Sequence, residues 1–298
     1  MAVRPGQAPH LREPEAREPH ELLTRLDLAL APITSIPPLD RLRFLETHRA
    51  YEARSDQRQR IVDWFASNLV PEEHPRELTV LSVGCGGGLL DSRIASQAAQ
   101  SVSRLRYIGI DPSPESCTSF LERMRAALLS SEAQFDVACG VLETASPAPA
   151  SCDVVHLVHC LYYMRDPWGT LEHARRLLRP GGRLIVGHAP REALNELSAR
   201  FYEKQYRKPS FFAGDLVHLL ERNRWAYRRT RLNATLDLSG VGRGECSDGL
   251  RDFIIQADGA ELPDSARGIV EQYLRVITST VDDRAVIHHP VDMFVIDG

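Results

Sequence analysis

The stretch Ser82-Val83-Gly84-Cys85-Gly86-Gly87-Gly88 follows an apolar run at 79–83 and precedes Ile108-Gly109-Ile110-Asp111 by about twenty residues. A short buried strand at 79–83, a helix at 89–99 and a second strand ending in Asp111 put the glycines in the tight turn between strand and helix. Glycine reaches backbone angles closed to other residues there, and its missing Cβ lets a ligand lie against the main chain. A carboxylate ending the second strand can accept hydrogens from both ribose hydroxyls. The combination implies an adenosine-containing cofactor on an open parallel sheet. G-x-G-x-G fits Gly84, Gly86 and Gly88, whereas the nicotinamide pattern G-x-G-x-x-G needs a glycine where Leu89 stands. S-adenosylmethionine therefore outranks NAD.

The chain keeps alternating as a parallel sheet requires: helix 114–130, strand 135–139, strand 154–158, helix 167–178, and strand 183–188 after the turn Arg179-Pro180-Gly181-Gly182. Upstream, a short helical pattern at 21–30 stops at Pro32. A longer one runs from 40 towards 69, marked by Leu42, Leu45, Ile61, Trp64, Phe65 and Leu69. Because it precedes the glycine loop it cannot be a crossover, and it reads as a helical cap. Downstream, 192–222 reads as two helices broken at Phe211-Phe212, then a strand at 227–232, helices at 249–256 and 266–280, and a closing strand at 292–296. The expected organisation is a flexible leader at 1–19, where four prolines sit among charges, a cap at 20–76 and a cofactor-binding domain at 77–190. Residues 191–298 add a helical insertion and the closing strands of that same domain, forming part of the substrate pocket.

A net charge of -4, with charged residues at 26% of 298, gives no basic excess for a phosphate backbone. No nucleic-acid partner is expected. No apolar run approaches the roughly eighteen residues of a membrane span, so a cytoplasmic protein without membrane association, monomeric or weakly self-associating, is expected. The six cysteines, at 85, 117, 139, 152, 160 and 246, form no C-x-x-C pair and read as reduced thiols. His156-x-x-His159 suggests a metal pair only superficially, because strand alternation sends the two side chains to opposite faces. No metal is expected.

Taken in order, the glycine loop, Asp111, Asp153 opening the fourth strand and Leu178-Arg179-Pro180-Gly181-Gly182-Arg183-Leu184 before the fifth resemble the class I S-adenosylmethionine-dependent methyltransferases. The resemblance implies a Rossmann-like α/β sheet with helices on both faces. It implies a cofactor set of Gly84, Gly86, Gly88, Asp111, Pro112, Ser116, Cys139, Gly140 and Val158. Outside these shared motifs, the run from Val155 to Tyr163, Asp252-Phe253 and Met293-Phe294-Val295-Ile296 are similar to the histamine N-methyltransferase family. That similarity implies an amine pocket lined by Tyr162, Tyr163 and Phe253. A family glutamine appears as His159, a family asparagine as His289, and the family's N-terminal glutamate falls near Glu52 or Asp56. Phe211 and Phe212 are candidates for the substrate wall or for core under a loop.

Methyl transfer from a sulfonium is an in-line displacement, so the protein must hold a neutral nucleophile close to the methyl carbon and exclude water. Tyr and Phe faces attract cations by roughly 0.5–2 kcal/mol per good contact while keeping the site apolar. His159 or His289, with an ordinary pKa near 6.5, could take the amine proton. A small-molecule amine N-methyltransferase of secondary metabolism is the leading expectation. A lyase that cyclises the cofactor to azetidine-2-carboxylate and methylthioadenosine is the alternative, since azetidine-2-carboxylate synthases also look like that family, and a non-catalytic cofactor-binding module is a third.

Overall fold

The computed structural model describes residues 18–70, 77–129, 132–240 and 247–298. Most of the expected leader, the end of the 114–130 helix and Cys246 lie outside them. Three helices come first, α1 (Pro19–Leu30), α2 (Arg41–Glu52) and α3 (Gln57–Asn68). The alternating unit follows: β1 (Glu77–Val83), α4 (Asp91–Ser101), β2 (Arg104–Asp111), α5 (Pro114–Ala127), β3 (Gln134–Cys139), α6 (Leu142–Ala145), β4 (Cys152–Val158), α7 (Pro167–Arg176) and β5 (Leu178–His188). After it come α8 (Ala193–Tyr206), α9 (Ala213–Arg222), β6 (Arg228–Leu232), β7 (Thr235–Asp237), α10 (Asp248–Ile255), α11 (Asp264–Ile277), β8 (Thr278–Val281), β9 (Arg284–His288) and β10 (Val291–Asp297).

Seven strands make one sheet in the order β3-β2-β1-β4-β5-β10-β6. β1 to β5 are mutually parallel, and β10 runs antiparallel between β5 and β6. The strand order reverses beside β1, which opens a crevice at the strands' carboxyl ends, the place where such sheets bind ligands. Both faces are covered, so the central strands are apolar throughout: Leu81, Val155 and Leu184 belong to one core cluster, and Val80, Val154 and Ile185 to the other. The Arg179 to Gly182 turn does not precede β5 but bulges out of it, with Leu178 opposite Cys152, Arg183 opposite Val154, and Gly181 at φ +80.

The helical pattern at 40–69 is two helices. Between them a turn leads to Ser55, which forms a single antiparallel bridge to Leu236 of β7; Asp237 N donates to Arg54 O (2.9 Å) and Asp56 N to Thr235 O (3.1 Å). This break sends the two helices to different places. α3 lies on the sheet, with Ile61, Val62 and Phe65 packed among Leu78, Val80 and Ile94, while α2 leaves to pack on α10. A third core cluster joins Leu22 and Leu26 of α1 to Leu197 of α8, Ile255 of α10, Val270 of α11 and Ile287 of β9. The three-stranded sheet β7-β9-β8 beneath it was not visible in the sequence, which read 278–280 as helix and placed no strand at 284–288.

Candidate active site

Gly84, Gly86 and Gly88 all take positive φ at the end of β1. A Cβ on Gly84 would lie 2.6 Å from Cys160 Cβ, whereas a Cβ on Gly86 would meet nothing within 4 Å. Gly84 therefore allows the loop to close against β4, and Gly86 leaves the bare backbone surface that a ligand can occupy. Asp111 secures the same loop: Oδ2 accepts from Gly86 N (2.9 Å) and Oδ1 from Ser113 N (2.9 Å). Each carboxylate oxygen keeps a second lone pair, so ribose hydroxyls can still be bound. Cys139 pairs in register with Asp111, and Gly140 N donates to Asp111 O (3.0 Å). Pro112 and Cys139 are exposed beside Asp111, with Cys139 Sγ 3.8 Å from Pro112 O. Ser116 takes part through its backbone, its N–H donating to the Oγ of Ser113 (3.2 Å), the residue that caps α5. Open space at Gly86 beside a half-buried carboxylate with acceptor capacity fits an adenosine cofactor.

From Gly86 a cavity of about 470 Å³ extends under α2, α3, α8 and α10. Val158, His159, Tyr162, Tyr163, Phe211, Phe212, Phe253, Glu52 and His289 all line it, although they come from five separate stretches of chain. Gly84, Gly88, Asp111, Pro112, Ser116, Cys139 and Gly140 lie outside its wall. The two tyrosines differ. Tyr162 stacks on His188 (ring centroids 5.1 Å, 29°) inside, while Tyr163, 67% exposed, stands at the rim with its ring edge-on to Tyr162 (4.7 Å). Asp56 does not reach the cavity, since it holds Arg60 (2.8 Å) and Thr235 N (2.7 Å). Glu52 does reach it, paired with Arg58 and 3.3 Å from His48 Nε2.

His159 does not have the ordinary imidazole pKa that the sequence suggested. Burial pushes both His159 and His289 down to about 4, so both rings are neutral at pH 7 and act as hydrogen-bonding groups rather than strong bases. His159 Nε2 lies 2.8 Å from Gln57 Oε1, and Gln57 Nε2 lies 2.8 Å from His289 O and 3.0 Å from His289 Nδ1. Ser55 Oγ is 2.8 Å from His289 Nε2, and the Tyr51 hydroxyl is 3.0 Å from Nδ1. The Tyr51 phenol is held protonated by its burial, its pKa pushed far up.

Tyr51, Ser55, Gln57 and Arg58 were not singled out from the sequence. One signal existed: Phe44, His48 and Tyr51 recur at helical spacing on one face of α2, and all three rings meet Phe253 at 5.8, 5.3 and 4.5 Å. His156, three residues before His159, points elsewhere. It sits behind the glycine loop, 2.8 Å from the Tyr107 hydroxyl, which donates to Asp91 Oδ1 (2.9 Å).

Residues 81–184 match the family model described as "Methyltransferase domain". The match covers about a third of the chain. The chain is similar to a ubiquinone biosynthesis O-methyltransferase of Idiomarina loihiensis, 37% identical over 36% of this chain and 40% of that one. It is also similar to a tRNA U34 carboxymethyltransferase of Saccharophagus degradans, 30% identical over 42% and 36%. The chain thus spans well under half the length of these two curated relatives. Among solved structures, the plantazolicin methyltransferase BpumL in complex with SAH superposes with a TM-score of 0.51, 17% identity and coverage of 94% of this chain and 97% of that one. This likeness shows the Rossmann-like fold well beyond the matched segment itself. The cofactor is S-adenosylmethionine.

Proposed function

We propose that this chain is a small-molecule methyltransferase whose acceptor is an amine nitrogen. The observation that carries this reading is the neutrality of the cavity. Among its lining residues Glu52 is the one carboxylate and Arg58 the one guanidinium, and they pair with each other. The two buried histidines are pushed down to about 4. A hydroxyl acceptor needs a base able to take its proton; the two imidazoles beside Gln57 are too weak for that, and His48, the third histidine on the wall, is packed between Phe44 and Phe253 beside the Glu52–Arg58 pair. An amine that enters uncharged needs none, because its lone pair is ready, and desolvation in an apolar cavity favours the uncharged form.

S-adenosylmethionine, when bound, supplies an electrophilic methyl on a sulfonium. Gly86 and Asp111 would hold the nucleoside end. Tyr162, Phe253 and Phe211 would wall the reacting region and exclude water, and His159 would accept a hydrogen bond from the acceptor N–H and so orient its lone pair. The nitrogen forms the new bond to carbon, the carbon–sulfur bond breaks with its pair on sulfur, and the amine proton leaves to solvent afterwards.

Cyclisation of the cofactor itself is the second reading. A cavity of about 470 Å³ that begins at Gly86 has to hold the methionine portion as well as any acceptor, which favours a small nucleophile or one already attached. There the α-nitrogen would bond to the γ-carbon as the γ-carbon–sulfur bond breaks, giving azetidine-2-carboxylate, methylthioadenosine and a proton. One incubation separates the two. Purified protein with S-adenosylmethionine alone should yield no nucleoside product above background by chromatography until an amine is added, when S-adenosylhomocysteine appears. Methylthioadenosine formed without any amine would overturn the methyltransferase reading.

A further inference from the structure

Gln57 stands between the two histidines, and its orientation follows from one contact. Its Nε2 lies 2.8 Å from the backbone oxygen of His289, a group that can only accept. The amide nitrogen is therefore at that end and Oε1 at the other, facing His159 Nε2 at 2.8 Å. An amide oxygen cannot donate, so His159 Nε2 carries the proton, and in a neutral ring Nδ1 then bears the lone pair. The second amide hydrogen points to His289 Nδ1 at 3.0 Å, which makes Nδ1 the acceptor and leaves the proton on Nε2, directed at Ser55 Oγ (2.8 Å). Ser55 Oγ also accepts from Gln57 N (3.2 Å), which ties the start of α3 to the same network.

We propose that Gln57 is a positioning residue that fixes both imidazole tautomers, so that His159 presents an Nδ1 lone pair to the cavity and selects acceptors that donate an N–H or O–H there. No protein donor among the described residues meets His159 Nδ1, and the ring lines the cavity wall. The selection part rests on the functional reading above, while the tautomer part does not. A ligand offering only acceptor atoms at that point would face lone pair against lone pair, and the site would discriminate against it by about tenfold, the scale of one net hydrogen bond.

The test uses full-length protein labelled with nitrogen-15 at histidine, saturated with S-adenosylhomocysteine, with His159 and His289 resonances assigned through single substitutions. Both rings should appear as the Nε2–H tautomer. Gln57→Met, close in shape but without either polar atom, should turn His159 into a tautomer mixture. Gln57→Glu, which can only accept, should keep His159 as Nε2–H and switch His289 to Nδ1–H. An Nδ1–H His159 in the unsubstituted protein, or rings unchanged in both variants, would overturn the proposal. Calorimetry with 4-methylphenol and 4-methylanisole then reads selection: about tenfold preference for the phenol, shrinking to within about twofold in Gln57→Met. Equal binding of the two by the unsubstituted protein would remove donor selection. Failure of amine turnover would remove the functional reading while leaving the tautomer result standing.

Discussion

His156 and His159 are three residues apart at the end of one strand, yet they belong to two polar networks that work differently. The network behind the glycine loop, Asp91–Tyr107–His156, is sealed: its members are buried to 3% exposure or less, and apolar side chains surround them. The network in the cavity, His159–Gln57–His289 with Ser55 and Tyr51, has one side against protein and the other against open space. Burial raises Asp91 to about 6 and lowers His156 to about 3, so both members of the sealed pair are pulled towards neutrality. Desolvation acts in the same way on the cavity histidines. The difference lies in what each network does with a neutral ring. The sealed one uses it to satisfy the Tyr107 hydroxyl inside the core, and the open one offers it to a ligand.

Acid should produce the largest effect and tests what the two networks share. His156 and His188 are pushed down to about 3 and His159 and His289 to about 4, against about 6.5 in an unfolded chain. As pH falls from about 6.5 towards 4, the unfolded chain binds protons that the folded chain refuses, so stability present above that window is lost within it. Asp91 opposes this, because its folded pKa is raised, but it is one group against four. The melting temperature should fall steadily between pH 6.5 and 4.5. A flat profile would contradict neutral burial in both networks.

Substitution separates them. His159→Ala should lower amine methylation about 100-fold, the scale for misplacing a reacting group, because the hydrogen bond that orients the acceptor's lone pair is lost, with little change in melting temperature. His156→Ala should do the reverse, destabilising by about 2–4 kcal/mol through the cavity left beside Phe65, with cofactor affinity retained. Parallel losses of activity and stability in both variants would erase the distinction. Asp111→Ala should weaken S-adenosylmethionine binding about 30-fold by calorimetry, since ribose acceptors and the tie to Gly86 N disappear together. Unchanged affinity would remove Asp111 from the cofactor site. The smallest expected change is Tyr107→Phe, at about 1–3 kcal/mol in denaturant unfolding, because Asp91 and His156 each lose a buried partner. A measurable drop in turnover without loss of stability would show that the sealed network also serves the reaction.

The sheet was legible because its signals are local. A strand buried on both faces is a continuous apolar run, and a turn with positive φ is marked by glycine, so 79–88, 107–111 and 183–188 could be read without their neighbours. The β7-β9-β8 sheet was not legible: Thr235–Asp237 has three residues and its partners lie more than forty residues away. The cavity was half legible. Tyr162, Tyr163, Phe253 and the two histidines were named from family resemblance and Phe211-Phe212 from an aromatic break between helices, and ten of the expected site residues, with Gly86 and Val158 among them, do line one space. Tyr163 at the rim and Asp56 outside it could not be told apart from Tyr162 and Glu52 by position along the chain.

By itself, then, the sequence determined the alternating sheet, the glycine loop and the cofactor they accommodate, because strand burial and backbone freedom depend on residues close together in the chain. Tertiary structure decided which polar groups meet. Gln57 reads as an ordinary polar residue at the start of a helix, yet it contacts His159 and His289, 102 and 232 positions away. Proton placement on those rings, and with it what the cavity can recognise, depends on contacts that exist only once the break at 53–56 has carried α3 onto the sheet and left α2 over the cavity.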